Sequence, residues 1–144
     1  MREIVKSALD GFKVCIFAFG QTCAGKTFTM EGGMREEDMG LVPRSVNMIF
    51  QHLRKYKKDE WTDTKVTLSC IEIHIENVRD LLDPSNQQAQ IMTNFGKFKP
   101  TEVTVDEAEG VAYLLQKAKE NRSVAATSMN QNSSRSHSIY SLKI

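Results

Sequence analysis

The sequence predicts an α/β fold in which helices flank a partly parallel sheet. Two observations support this prediction. Short apolar runs of the kind that form strands alternate along the chain with stretches whose apolar residues recur at helical spacing. In addition, residues 20–27 form a predicted loop with glycines at positions 20 and 25. This loop follows an apolar run and precedes a predicted helix, an order typical of sheets covered by helices.

The first half of the chain is predicted to be mainly helical. Residues 1–9 place apolar side chains on one helical face, whereas residues 13–19 form a continuous apolar run that predicts a buried strand. A short helix is expected over residues 26–31, followed by an exposed loop over residues 34–40. The next helix is expected over residues 42–58. Its last residues are basic and are expected to be solvated, and their positive charge interacts favourably with the negative end of the helix dipole.

Residues 64–75 form the longest strand candidate. Apolar residues alternate up to residue 70 and continue on the opposite phase from residue 71, which predicts either burial of both faces or a bulge. Glu72 and His74 fall in the second half of this strand. Either side chain could take part in catalysis, but we expect both to point towards solvent, as polar members of an alternating strand usually do.

Local signals predict the remaining elements. Residues 77–82 favour a short helical turn, and a short strand is expected near residues 89–93. The spacing of residues 104–107 is that of a capping box, which predicts a helix from there to about Arg122. Residues 138–144 alternate apolar and polar side chains, so we expect this last segment to be a strand.

Composition and charge are those of an ordinary globular protein. The chain has 144 residues, a length that predicts about one domain, with 40% hydrophobic and 26% charged residues. Its formal net charge is +1, so no global field indicates nucleic acid or a membrane as a partner. No apolar run has the length of a membrane span and no signal-peptide pattern begins the chain, so we expect a cytoplasmic protein.

The cysteines argue against a disulfide or metal framework. Cys15, Cys23 and Cys70 are odd in number, irregularly spaced and form no CxxC pattern, which fits a reducing compartment. Cys15 and Cys70 lie within apolar runs, so we expect both thiols to be buried.

The loop at residues 20–27 has the pattern G-x-x-x-x-G-K-[ST] of the phosphate-binding loop of P-loop NTPases. Gly20 and Gly25 allow backbone conformations that a side chain would forbid, and successive amides can form a concave nest for an anion. Lys26 is expected to reach the β- and γ-phosphates, and the Thr27 hydroxyl to ligate Mg²⁺. The alternative is an ordinary glycine turn between a strand and a helix.

Residues 130–137 concentrate hydroxyl, amide and guanidinium groups in one short stretch. Alone, such a stretch would be read as a turn. Beside a phosphate loop, these groups suit the orientation of water, the Mg²⁺ shell and the sensing of the γ-phosphate.

Three segments together resemble the kinesin motor domain. One runs from residue 14 through the phosphate loop to Gly32, and another covers residues 71–82. The third, Asn130-x-x-Ser133-Ser134-Arg135-Ser136-His137, resembles the switch I signature of that family. The segments follow the family's order and approximate spacing, and the surrounding sequence is most similar to the C-terminal-motor, minus-end-directed group.

The resemblance implies a role for each matching residue. The loop would hold the phosphates of ATP, and Phe28 would border the adenine. Thr27 and Ser134 would hold Mg²⁺. The residues with catalytic roles would be Asn130 and Ser133, which position the attacking water, and Arg135, which pairs with a switch II glutamate. The implied phosphate-holding residues are Gly20, Gln21, Thr22, Cys23, Ala24, Gly25, Lys26 and Thr27.

The sequence departs from the family pattern at two places. Cys23-Ala24 replaces the usual Gly-Ser or Gly-Thr, and nucleotide affinity would change if position 23 needs a positive φ. His74-Ile75 stands where the family commonly has Tyr-Asn. The family's first strand and its switch II Asp-x-x-Gly-x-Glu are not in this sequence. We therefore expect residues 1–144 to form a single partial motor domain that lacks the first strand and everything after switch I.

The leading interpretation is the ATP-binding part of a microtubule-dependent motor ATPase, with Mg-ATP held by the phosphate loop and switch I. The resemblance implies tubulin as partner and a cytoskeletal location. Without switch II, we expect weak ATP hydrolysis or none. The alternatives are a nucleotide-binding fragment without turnover and an inactive interaction fragment. The edges of a truncated sheet also predict self-association, above all through residues 138–144.

Overall fold

The computed structural model describes residues 1–33, 35–56, 64–75, 77–89, 98–128 and 136–144. The backbone forms two compact units, Met1–Thr64 and Lys65–Ile144. The first unit carries the phosphate loop, and the second contains the sheet. The expectation of a single partial domain stays a prediction.

The first unit is helical. Its helices are α1 (Arg2–Leu9), α2 (Lys26–Met30) and α3 (Leu41–Tyr56), with a 3₁₀ turn at Glu36–Asp38. These bounds agree closely with the helices that the sequence predicts. Helix α1 packs against α3, as does α2. Among the described residues of this unit, the buried apolar side chains are Val5, Val46, Ile49 and Phe50.

The apolar run at residues 13–19 is not a strand, so the prediction of a buried strand here is wrong. Phe17 is 80% exposed and Phe19 94% exposed. Cys15 is also exposed, against expectation, whereas Cys70 is buried as predicted. Apolar character alone does not make a strand, because the backbone groups need a neighbouring strand with which to pair.

The two ends of the connection between α2 and α3 lie side by side. Gly32 forms an antiparallel bridge with Met39, and the Gly40 amide donates to the Glu31 carbonyl at 3.3 Å. A Cβ on Gly32 would lie 2.2 Å from the Gly40 nitrogen, and a Cβ on Gly40 would lie 2.5 Å from the Met30 carbonyl oxygen. Only glycine fits at both positions, because the two backbones approach too closely for any side chain.

An antiparallel five-stranded sheet organises the second unit. Its strands are β1 (Val66–His74), β2 (Asn77–Asp80), β3 (Gln87–Ala89), β4 (Val103–Val105) and β5 (Ser136–Lys143). One edge of β1 pairs with β2 and β4 at its two ends, and the other edge pairs with β5. Among the described residues every strand pair is antiparallel, so the expectation of a partly parallel sheet is wrong. The α/β class, with helices flanking a sheet, is confirmed.

The predictions for the strands at the two ends of this unit differ in outcome. The strand expected over residues 138–144 is confirmed as β5. The strand expected near residues 89–93 falls mostly on residues outside the described part of the chain, and β3 ends at Ala89.

Helix α4 (Ala108–Ser128) packs against β1 and β4. Val111 and Ala118 on its inner face are completely buried. The helix continues beyond Arg122, where the sequence predicted its end. The predicted capping box is wrong, because Thr104 lies within β4 and pairs with β1 instead of capping the helix.

Strand β1 is the centre of the sheet. In its first half Leu68 and Cys70 are completely buried, and Thr67 and Ser69 on the opposite face are also buried. Strand β5 pairs with β1 without interruption across the point where the sequence changes phase. Burial of both faces therefore explains that change, and a bulge does not.

The second half of β1 reverses the expected pattern. Glu72 and His74 are only 6% and 7% exposed, so the expectation that they point towards solvent is wrong. Ile71 and Ile73 are half-buried. Glu72 is tolerated inside because Arg122 of α4 pairs with its carboxylate, which compensates the cost of burying a charge.

A tight turn joins β1 to β2. His74 pairs with Asn77, and Ile75 within the turn has a φ of +56°. The prediction of a helical turn over residues 77–82 is wrong, because Asn77 begins a strand that pairs with β1.

The buried carboxylate of Asp80 organises the chain after β2. Its Oδ1 accepts hydrogen bonds from the Leu82 and Asp83 amides at 2.9 and 3.1 Å. Its Oδ2 accepts from the Thr101 amide at 2.5 Å and from Asn86 Nδ2 at 3.1 Å. Four donors thus replace the water that this charge loses on burial, and they fix the path of the chain that leads to β4.

Candidate functional site

The phosphate loop forms locally, without a strand before it. Gly25 is the N-cap of α2, with φ +82° and ψ +15° in the left-handed region. The Thr29 amide donates to the Gly25 carbonyl at 2.8 Å, which is the first hydrogen bond of the helix. Within the loop, the Ala24 amide donates to the Gln21 carbonyl at 3.2 Å. The sequence therefore sets up a glycine-capped turn that leads into α2, as the motif predicts.

Lys26 folds back over this loop. Its Nζ donates to the carbonyl oxygens of Gly20 and Gln21, each at 2.7 Å. The ammonium group therefore lies against the carbonyls at the start of the loop. A phosphate group bound there would lie within reach of the same ammonium.

Other residues predicted to bind the nucleotide or its metal lie in the same short segment. Every residue from position 21 to position 25 is exposed, and so is Thr27, which follows Lys26 in the first turn of α2. Phe28 is 58% exposed. The structure thus brings the residues predicted for phosphates, metal and adenine into one accessible stretch, from Gly20 to Phe28.

Cys23 has a φ of +65°. Positive φ is uncommon for a residue with a side chain, because Cβ approaches the backbone too closely. Position 23 therefore has the positive φ on which the expected change in nucleotide affinity depends. The family's usual glycine would adopt the same conformation without strain.

The second predicted cluster cannot be placed beside the loop. Asn130, Ser133, Ser134 and Arg135 lie outside the described residues. The described chain reaches Ser128 at the end of α4 and resumes with β5. That the cluster faces Lys26 stays a prediction.

A comparison with protein families decides the relationship. The model of the kinesin motor domain family matches residues 1–144, the entire chain. The chain belongs to the kinesin motor domain family. This family consists of ATP-hydrolysing microtubule motors that bind their nucleotide with Mg²⁺, as the resemblance implies.

Individual kinesins are similar along the same length. A kinesin heavy chain of Strongylocentrotus purpuratus is 40% identical, with 99% of this chain and 14% of that protein covered. Carboxy-terminal kinesin 2 of Xenopus laevis is 42% identical, with 98% of this chain and 24% of that protein covered. The chain thus spans less than a quarter of these curated relatives.

A solved structure agrees with the fold. The structure described as that of a fast kinesin superposes with a TM-score of 0.81 at 32% identity, and it covers 98% of this chain and 41% of that one. The chain therefore has the fold of part of a kinesin motor domain.

Sequence reasoning missed a polar cluster in this kinesin fold. Arg122 Nε donates to Glu72 Oε1 at 3.2 Å, and Arg122 Nη2 donates to Ser136 Oγ at 3.2 Å. A signal was available in the sequence, because Arg122 follows the buried Ala118 by four residues and so lies on the inner face of α4.

Two further features of the described residues add nothing to this kinesin site. A shallow depression of about 460 Å³ in the first unit contains none of the predicted binding residues. In the described part of the chain, no helix has the length and apolar character needed to cross a membrane. The residues that line the depression are Arg35, Glu36, Glu37 and Arg44.

Proposed function

We propose that this chain is the ATP-binding part of a microtubule-dependent motor ATPase and that it holds Mg-ATP with the phosphate loop and switch I. The observation that carries the proposal is the geometry of the loop. Gly25 caps α2 in the left-handed conformation, and the Lys26 ammonium lies over the Gly20 and Gln21 carbonyls. Membership of the kinesin motor domain family gives this loop its ligand class.

The loop residues act through charge and position. The exposed residues of the loop, 21–25, and the N-terminus of α2 offer backbone donors to phosphate oxygens, although the Ala24 amide would first have to leave the Gln21 carbonyl. Lys26 exchanges its two carbonyl acceptors for oxygens of the β- and γ-phosphates, and Phe28 borders the adenine. Such catalysis depends mainly on positioning and electrostatics.

The residues offered to the metal fit its chemistry. Mg²⁺ prefers oxygen ligands, and the Thr27 hydroxyl is exposed in the first turn of α2. Thr27 and Ser134 would hold the ion, which neutralises charge on the phosphates. Asn130 and Ser133 position the attacking water, and Arg135 pairs with a switch II glutamate.

Two alternatives remain open to experiment. A nucleotide-binding fragment without turnover is favoured by the strained φ of Cys23. An inactive interaction fragment would retain the loop with no ligand. Under our proposal, residues 1–144 form a single partial motor domain with little hydrolytic activity alone.

The experiment is a titration with a fluorescent ATP analogue in the presence of Mg²⁺, beside an assay of phosphate release. We expect binding that Lys26→Ala weakens about tenfold or more, a change of about 1.4 kcal/mol in binding free energy. Lys55→Ala, at an exposed lysine at the end of α3, is the control and should bind as the wild type does.

The outcomes separate the three readings. Binding with slow but measurable phosphate release supports the motor proposal, and binding with no release at all supports the turnover-free alternative. If Lys26→Ala and wild type behave identically, the chain is an interaction fragment and the proposal is wrong.

Partners and location are part of the same proposal. We propose tubulin as partner and a cytoskeletal location in the cytoplasm, with neither nucleic acid nor a membrane involved. We also propose assignment to the C-terminal-motor group, supported by the 42% identity with carboxy-terminal kinesin 2. Self-association through β5 is supported by Ile139 and Ile144, which stay 41% and 46% exposed at this strand.

A further inference from the structure

Three elements of the second unit meet at one polar cluster. Glu72 comes from the second half of β1, Arg122 from α4 and Ser136 from the start of β5. Arg122 donates through Nε to Glu72 Oε1 and through Nη2 to Ser136 Oγ, both at 3.2 Å. A single guanidinium thus connects a helix to two strands.

The cluster is shielded from solvent. The Glu72 side chain is 7% exposed and the Arg122 side chain 18% exposed. A buried pair is screened little by water and salt, and removal of one partner leaves an uncompensated charge. The planar guanidinium fixes the directions of its donors, so it can hold both acceptors in one geometry. These properties are those of a contact that holds α4, β1 and β5 in a fixed arrangement, and they differ from those of a solvated surface ion pair.

The position of the cluster in the chain gives it a functional meaning. Helix α4 leads into residues 129–135, and Ser136 is the residue that follows them. Arg122 lies six residues before the end of α4, which corresponds to about 9 Å of helix. The contact with Ser136 therefore joins the element before this segment to the element after it.

Register within the sheet reinforces the contact. Glu72 lies directly opposite Ser138 of β5, and His74 lies opposite Ser136. Because paired residues of an antiparallel ladder share a face, Glu72, Ser138 and Ser136 lie on the face that α4 covers. Any shift of β5 along β1 would separate Ser136 from Arg122.

We infer that Arg122 is a positioning residue for recognition of the γ-phosphate. Through Glu72 and Ser136 it fixes the two anchors, the end of α4 and the start of β5, from which the proposed switch I groups reach the nucleotide. This inference rests on the proposed function. It assigns no direct contact with the nucleotide to Arg122.

The inference predicts a selective effect on the third phosphate. The phosphate loop contacts the phosphates that ATP and ADP share, whereas proposed switch I residues contact the γ-phosphate and its Mg²⁺. Loss of the Arg122 contacts should therefore weaken binding of a triphosphate more than binding of a diphosphate. General destabilisation of the chain would weaken both to the same degree.

The test measures dissociation constants of the full 144-residue chain for ADP and for a non-hydrolysable imido analogue of ATP, with Mg²⁺ present. The variants are Arg122→Gln, Arg122→Lys and Ser136→Ala. We expect Arg122→Gln to reduce the preference for the triphosphate roughly fivefold or more, within the range of ordinary coupling between sites. Arg122→Lys should restore part of the preference, since it keeps the charge facing Glu72. Ser136→Ala removes the acceptor of Arg122 Nη2 but leaves the pair with Glu72, so it should give a smaller reduction.

Asn121→Ala is the matched control. Its Nδ2 donates to the Leu81 carbonyl at 2.8 Å, so its loss removes a neighbouring contact of α4 that does not involve β5. This variant should lower the thermal stability and keep the wild-type ratio of dissociation constants.

The failures of the two proposals differ. A wild-type chain that binds neither nucleotide overturns the proposed function, and this inference with it, before any variant is made. A wild type that prefers the triphosphate, with folded Arg122→Gln and Ser136→Ala variants that keep that preference, overturns the inference alone. If Arg122→Gln does not fold, Ser136→Ala against Asn121→Ala decides the question.

Discussion

The two units of the molecule differ in how their apolar runs pack. In Met1–Thr64 the loop from Gly20 to Lys26 is formed, but Phe17 and Phe19 of the neighbouring apolar run face solvent. In Lys65–Ile144 the first half of β1 is buried on both faces, and Leu68 there has no exposed surface. A glycine-capped loop needs only local interactions, whereas a strand needs a partner for its backbone groups.

Both units share one kind of strain. Among the described residues, two non-glycine residues have positive φ, Cys23 in the phosphate loop and Ile75 in the β1–β2 turn. Both lie where the sequence departs from the kinesin pattern, which commonly has glycine and asparagine there. Glycine and asparagine tolerate the left-handed conformation, and a β-branched side chain tolerates it least. The residues that the family commonly has at these positions would therefore adopt these φ values with less strain.

The largest effect should come from matched truncations in the two units. Leu68→Ala should lower the free energy of unfolding by about 2–5 kcal/mol, because it leaves a cavity in a fully buried site. Phe17→Ala should change it by less than about 0.5 kcal/mol, because that ring is already exposed. Urea unfolding followed by circular dichroism measures both. A large loss from Phe17→Ala would show that the run at residues 13–19 packs in solution, and would break the contrast between the units.

An intermediate effect should come from relief of the strained residues. Cys23→Gly should raise the free energy of unfolding by roughly 0.5–1 kcal/mol, because relief of the left-handed strain exceeds the entropy cost of glycine. Ile75→Asn should raise it by about 1 kcal/mol.

Cys23→Ala and Ile75→Val are the controls, since each keeps a Cβ at the same φ and should gain little. Thermal unfolding of the four variants measures the difference. Equal stability of Cys23→Gly and Cys23→Ala would argue against strain at position 23.

The smallest effect should be a dependence on pH in the second unit. Asp83 Oδ1 accepts hydrogen bonds from the Ser85 hydroxyl at 2.6 Å and from the Ser85 amide at 3.1 Å. These bonds, the hydroxyl first, hold the pKa of Asp83 below its ordinary value of 3.8. A pKa that is lower in the folded state contributes stability above the unfolded value, and the contribution is lost as pH falls through the folded value.

Ser85→Ala should therefore raise the pKa of Asp83 towards 3.8 and reduce the loss of stability on acidification below about pH 4. An NMR titration of the Asp83 carboxyl carbon measures the shift. The effect on stability should be small because the carboxylate is exposed to solvent. An unchanged pKa in Ser85→Ala would show that the hydroxyl bond does not form in solution.

The sequence predicted what local rules determine. The helices, the loop from Gly20 to Lys26 and the long strand β1 follow from periodicity and glycine placement. Membership of the kinesin motor domain family followed from three short motifs.

The failures came from tertiary context. Periodicity could not show that the run at residues 13–19 forms no strand, because pairing depends on neighbours distant in sequence. Thr104 has the spacing of a helix cap, but pairing with β1 outweighs that weak local preference. Glu72 looked like an outward-facing residue, since its buried partner Arg122 lies fifty positions away.

The lysine of the phosphate loop has one more consequence. Its ammonium already has two carbonyl acceptors from Gly20 and Gln21, so an arriving anion must compete with the protein's own backbone for that charge. Binding of an anion then exchanges one set of hydrogen-bond acceptors for another. The net gain in free energy is the difference between a hydrogen bond to a charged oxygen and a hydrogen bond to a neutral one. Weakly charged solutes gain little from such an exchange, whereas a polyphosphate gains at several oxygens at once. Under the proposed function, the loop would therefore select anions by their charge before it selects them by their shape.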